Sequence, residues 1–285
     1  VAGYLMFSSI KGSRKKWIGK KSLQLLIPHF LFNMAFYYLS FIGISEFSST
    51  MHDTSFGVYM YRATFIDTGE WFLWTLFLIC PVMLFVDWAS TIYNNRLTFI
   101  IIGIAVFVAI IPLKQNIFRL MYLQYYLPIA LAGYLVAKYK PRINLKYVLM
   151  SLPIMLGLFV AVMFASHGIG GWGYIAIANP STNLSAYLLR YAQVITVAPL
   201  VYLIVVGISK VKIFAKGFSK IGKLTLGIYL FDLMFAGLFI GKGIIAVITG
   251  SIIALTIGII LTKLITKDKQ LGIILGDTSI LTRAT

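Results

Sequence analysis

Asp232 is the residue whose position most needs a chemical explanation. It interrupts the apolar stretch Leu224 to Ile240, where an ionised Asp costs about 2.5 to 3.5 kcal/mol on insertion scales. It must pair within a helical bundle or stay protonated, and Arg190, near the end of another apolar run, is a candidate partner. His29 follows Pro28 at the entry to an apolar run. An imidazole there could act as a base or on a thioester; the alternative is an interfacial side chain. Glu70 stands directly before Trp71, where its carboxylate could accept a proton from a hydroxyl or favour a helix N-terminus. Trp71, Trp74 and Trp172 offer faces for a sugar ring, and Arg119 and Arg190 offer charge to a substrate. The competing reading is a set of interfacial anchors.

The densest chemistry is the block Arg14, Lys15, Lys16, Lys20 and Lys21. Such cations can hold phosphates as point charges, or can set topology and touch anionic lipid. His29, His52, His167 and Cys80 do not have the spacing of a zinc site. No Gly-rich phosphate loop, Ser-His-Asp order or dinucleotide fingerprint occurs, and one Cys allows no internal disulfide.

These residues sit on a chain built for lipid. Hydrophobic residues make up 60% of it and charged residues 12%, against roughly 25% charged in a soluble domain. The formal charge of +17 does not indicate nucleic acid, because the cations lie in clusters between apolar runs rather than on one soluble surface. We expect an all-α, polytopic transmembrane helix bundle in a single domain over residues 1–285. Its complete spans are Leu23 to Gly43, Trp71 to Ser90, Leu97 to Leu113, Phe118 to Ala137, Tyr147 to Ala165, Tyr187 to Ser209, Leu224 to Ile240 and Ile244 to Leu264. Val1 to Phe7 supplies part of one more, since a full span takes about 20 residues.

Charge sets the expected orientation. With the first basic block inside, Arg96, the group Lys138, Lys140, Arg142 and Lys146, the group Lys210 to Lys223, and Lys263, Lys267, Lys269 and Arg283 all fall on that side. Only Arg62, Lys114, Arg119, Arg190 and Lys242 remain for the membrane and the outside. The positive-inside rule favours this assignment, which puts the C-terminus in the cytoplasm. Ile44 to Glu70 becomes a Ser/Thr-rich outer loop, and Ser166 to Ala186 a Gly-rich outer segment.

Four stretches together resemble the integral-membrane acyltransferase family 3, which includes bacterial O-acetylases of surface sugars. They are AGYLMFSSIKGSRKKWIGKKSLQLLIPHF, GEWFLWTLFLI, YYLPIALAGYLVAK and IGKLTLGIYLFDLMF, in that order, with KDKQLGIILG following. The resemblance implies a ten-helix bundle in a bacterial or archaeal cell membrane. It also implies transfer of an acyl group, commonly acetyl, from cytoplasmic acyl-CoA to a hydroxyl of a glycan or lipid-linked sugar. Acetyl-CoA is then a co-substrate, and no bound cofactor or metal is expected. The resemblance further implies that the chain lacks its first helix, part of its second, and the essential His that the first would carry.

Two motifs depart from the family pattern. An Arg-x-x-Arg motif falls on Lys21 and Gln24, and a His position falls on Asp232. Lys cannot reproduce the planar two-point grip of Arg on phosphate. The resemblance adds Gln24 to the candidate donor-binding set. Two other classes stay open at this point: a transporter or flippase-like export component using Asp232 and Arg190 in a cavity, and an inactive structural membrane subunit.

Overall fold

The computed structural model describes residues 10, 13–41, 54–66, 72–92, 102–103, 118, 120–140, 144–170, 184–210 and 244–272. Among the described residues every regular element is helical. They are α1 (Arg14–Phe41), α2 (Phe56–Phe65), α3 (Phe72–Ile92), α4 (Leu120–Tyr139), α5 (Leu145–Gly170), α6 (Leu184–Lys210), α7 (Ile244–Lys267) and α8 (Lys269–Gly272). The expected spans 97–113, apart from 102–103, and 224–240 lie outside the described residues.

Two described stretches, Phe72–Ile92 and Leu145–Val162, are each long and apolar enough to cross a membrane, and Val194–Ile204 is a shorter apolar run. In α1, Gln24, His29, Asn33 and Ser40 punctuate the apolar residues and dilute the run. The surface of α5 is what lipid requires: Tyr147, Met150, Ile154 and Phe164 are all more than 60% exposed. Contiguous apolar surface of this kind is not tolerated in water.

Two expectations need correction. The basic block, expected to precede the first complete span, is the first part of the same helix α1: Trp17 N–H donates to the Ser13 carbonyl at 3.0 Å and the helix runs on unbroken. Lys and Arg are good helix formers, and charge does not oppose a helix where it leaves the lipid. The Ser/Thr-rich loop contains α2, a helix that buries Tyr59, Ala63 and Thr64.

The chain forms two compact units, one of Val1–Lys11 with Ile79–Ala215 and the other of Gly12–Leu78 with Lys216–Thr285. In the second unit α2 packs on α1. Tyr37 of α1 lies 5.2 Å from both Phe56 and Tyr59, near the start of α2. At the other end of α2, Phe65 meets Trp74 edge-on at 5.4 Å, and Trp74 lies 5.7 Å from His29. Thus α2 runs antiparallel to α1, from the level of Tyr37 to that of His29. The eight residues between these levels correspond to about 12 Å of helix. Tyr37 O–H also donates to the Thr54 carbonyl at 3.2 Å, tying down the approach to α2.

In the first unit α5 packs along α6, and α6 braces α4 at a proline. Pro128 has no N–H for the Gln124 carbonyl one turn earlier. Tyr191 of α6 supplies the missing donor: its hydroxyl lies 3.3 Å from the Gln124 carbonyl and 3.1 Å from that of Tyr125. The rings of Tyr125 and Tyr191 stack at 5.2 Å, which fixes the hydroxyl in place. Pro28, Pro81, Pro153 and Pro199 sit inside α1, α3, α5 and α6. Such prolines are usual in membrane helices, where neighbouring groups take up the freed carbonyls.

Candidate functional site

One face of α1 carries the candidate site. Its buried residues Trp17, Leu25, Pro28, His29, Phe32, Asn33, Phe36, Tyr37 and Ser40 recur at helical spacing and form a continuous stripe. Arg14, Lys21 and Gln24 are half-buried and continue that stripe toward the N-terminus, whereas Lys15, Lys16 and Lys20 are exposed. The structure therefore divides the basic block. Arg14, Trp17, Lys21 and Gln24 share a face at steps of three and four residues, while the other three cations point away.

The charge distribution on this face suits an anion. The first turn of α1 contains no acid, and the positive end of the helix dipole adds to Arg14 and Lys21. Gln24 adds an amide beside Lys21. Its main-chain carbonyl is the one that Pro28 cannot bind.

About two turns further along, His29 is fully buried within the protein. Asn33, one turn on, donates its side-chain N–H to the His29 carbonyl at 2.9 Å and lies 3.3 Å from Nδ1. The same amide nitrogen lies 3.5 Å from Nε2, and since it can only donate, the ring nitrogen it serves acts as the acceptor. Phe30 packs edge-on to the imidazole at 5.3 Å, and Trp74 of α3 lies across it at 34°. Trp74 is 9% exposed and is also packed by Phe65 and Phe77. It is a packed ring rather than an open platform for a sugar. Its Nε1–H is buried and has no hydrogen-bond acceptor among the described residues.

The other sequence candidates are not brought to this face by the described structure. Asp232, Glu70, Trp71 and Arg119 lie outside the described residues; Arg190 is on α6, but its side chain is not described. Among the described residues no group of His, Cys, Asp and Glu could hold a metal ion. Sequence reasoning missed Asn33 as a partner of His29. The signal was present in their i, i+4 spacing, which places them on one helix face.

A family model described as an acyltransferase domain matches residues 1–266 of the 285-residue chain. The chain belongs to the acyltransferase 3 family. Comparisons with curated proteins and with solved structures return no match. The matched acyltransferase 3 region takes in α1 through nearly all of α7, and with it the stripe from Arg14 to Asn33 and its neighbour Trp74. In general terms the protein is a membrane acyltransferase, in keeping with its apolar helices.

Proposed function

We propose that this acyltransferase 3 protein transfers an acyl group, acetyl in the simplest case, from cytoplasmic acyl-CoA to a hydroxyl of a surface glycan or lipid-linked sugar. In this reading residues 1–285 act as a single multipass domain of a bacterial or archaeal cell membrane, with the basic end of α1 and the C-terminus in the cytoplasm. The observation that carries it is the stripe on α1, which joins an anion-compatible end at Arg14, Lys21 and Gln24 to a buried imidazole at His29. From Lys21 to His29 the helix rises about 12 Å. Phosphates held at the first place would direct the thioester toward the second.

In the reaction the acceptor hydroxyl oxygen bonds to the thioester carbonyl carbon. Its proton passes to a base, and the carbon–sulfur bond breaks to release the CoA thiolate, which is reprotonated. His29 is a base candidate, and the buried N–H of Trp74 is a donor of the kind that steadies a carbonyl oxygen gaining charge. Asp232 and Glu70 are further acid–base candidates, and Trp71, Arg119 and Arg190 are candidates for acceptor binding. Lys15, Lys16 and Lys20 serve the membrane surface and the approach of an anionic donor.

The test uses membranes carrying the full chain, labelled acetyl-CoA and surface glycan. Lys21→Ala is expected to raise the KM for acetyl-CoA about tenfold, the scale of one charge-assisted contact, with little change in kcat. Label transfer unaffected by Lys21→Ala would remove this face from the mechanism. Solute movement without label transfer would favour the export reading.

A further inference from the structure

A second cationic feature lies in the other unit. Lys138 stands in the last turn of α4, and its Nζ is buried with no hydrogen-bond acceptor among the described residues. It lies 5.9 Å from the ring centroid of Tyr134 and 5.5 Å from that of Tyr139. Tyr134 is fully buried, and its hydroxyl is 3.1 Å from Ser90 Oγ of α3. Ser90 donates its own proton to the Asp87 carbonyl at 2.8 Å, so Tyr134 is the donor between the two hydroxyls. The ring under the ammonium is thereby held from both ends.

A lysine at a helix C-terminus ordinarily serves the last carbonyls, and a lysine near a membrane surface ordinarily extends to water. Lys138 does neither. Attraction to two tyrosine faces recovers only part of the cost of stripping water from an ammonium. Within this unit Asp87 is the sole carboxylate in residues 79–215, and it is not within hydrogen-bonding reach of Nζ.

The surroundings add to the positive field. Lys140 turns the chain out of α4 with a positive φ of 44°, its N–H donating to the Val136 carbonyl at 2.9 Å. Asn144 then opens α5, its side chain accepting from Lys146 N–H at 3.0 Å. In sequence, the connection and the start of α5, residues 140–146, hold Lys140, Arg142 and Lys146 and no acid.

We propose that Lys138, set between Tyr134 and Tyr139, is the central charge of a phosphate-binding site, whose ligand is a phosphate ester. The rings offer the ammonium no oxygen acceptor, and phosphate oxygens would serve the N–H groups that no described residue serves. On the side expected to be cytoplasmic, phosphate esters come from the nucleotide of an acyl donor or from anionic lipid headgroups. The nucleotide source rests on the acyl-CoA reading given above; the lipid source does not.

The experiment compares the wild type, Lys138→Met and Lys138→Arg in nanodiscs of phosphatidylcholine with and without phosphatidylglycerol. Binding of CoA is measured by calorimetry, and retention of phosphatidylglycerol by native mass spectrometry. Met keeps the apolar stem and removes the charge; Arg keeps the charge. The Met variant is expected to weaken CoA binding at least tenfold if the nucleotide is the ligand, or to abolish preferential retention of phosphatidylglycerol if the lipid is. In either case the Arg variant keeps most of the effect. Wild type that fails to bind CoA but retains phosphatidylglycerol through Lys138 would count against the acyl-CoA reading and still support this site. Met behaving as wild type in both assays, or Arg failing as badly as Met, would overturn it.

Discussion

Removing one oxygen atom tests how α4 and α6 are joined. Tyr191→Phe keeps the ring stacked on Tyr125 and deletes only the hydroxyl directed at the Gln124 and Tyr125 carbonyls. Interhelical hydrogen bonds in membrane proteins average about 0.6 kcal/mol and reach about 1.7 kcal/mol. Because this hydroxyl serves a carbonyl whose helical donor is replaced by Pro128, the upper half of that range applies, and we expect a loss of about 1 kcal/mol. For a chain somewhat above 250 residues that is about 2 °C in Tm. The decisive arm is Pro128→Ala, which restores the main-chain N–H to the Gln124 carbonyl. In that background Tyr191→Phe is expected to cost less than half as much, a coupling that a double-mutant cycle isolates. Unfolding midpoints of the four proteins in one detergent provide the measurement. Equal losses in both backgrounds would refute the claim that Tyr191 answers for the proline.

Other expectations follow from burial and packing. Cys80 is fully buried and is the chain's one cysteine, so a maleimide should label the folded protein far more slowly than the protein in denaturant; rapid stoichiometric labelling in the native state would contradict its placement. His29→Leu, which keeps bulk in the stripe, is expected to reduce acyl transfer at least tenfold while CoA affinity changes little, the opposite split from Lys21→Ala; a change in KM alone would move His29 out of the chemistry. Tyr37→Ala should destabilise the second unit by about 3 to 5 kcal/mol through loss of the ring contacts with Phe56 and Tyr59. Tyr37→Phe, which loses only the bond to Thr54, should cost about 1 kcal/mol in the same unfolding assay.

The helices that sequence patterning identified best are those whose apolar residues run on without interruption. Trp71 to Ser90 is realised as Phe72–Ile92, and Ile244 to Leu264 as Ile244–Lys267. Patterning fails where charge and helix coincide: positive charge marks where a chain leaves the lipid, yet helix formation depends on backbone propensity, and Arg14 to Lys21 favour the helix. The burial of His29 was also illegible. In a helix apolar on nearly every side, the inward face is chosen by neighbours such as Trp74, which are distant in sequence. In the sequence Lys138 is one more cation marking topology, and only the placement of Tyr134 and Ser90 reveals an enclosed ammonium.

The short helix α2 has a consequence for how this protein tolerates change. A segment of Ser and Thr between two apolar runs is where an engineer would place an epitope tag, and where natural sequences would be free to drift in length. Here Phe56 and Tyr59 are packed against Tyr37 at one end, and Phe65 against Trp74 at the other. A residue inserted within α2 would rotate everything beyond it by about 100°, one residue's share of a 3.6-residue turn, and detach one pair or the other. Insertions there should behave like insertions in a core.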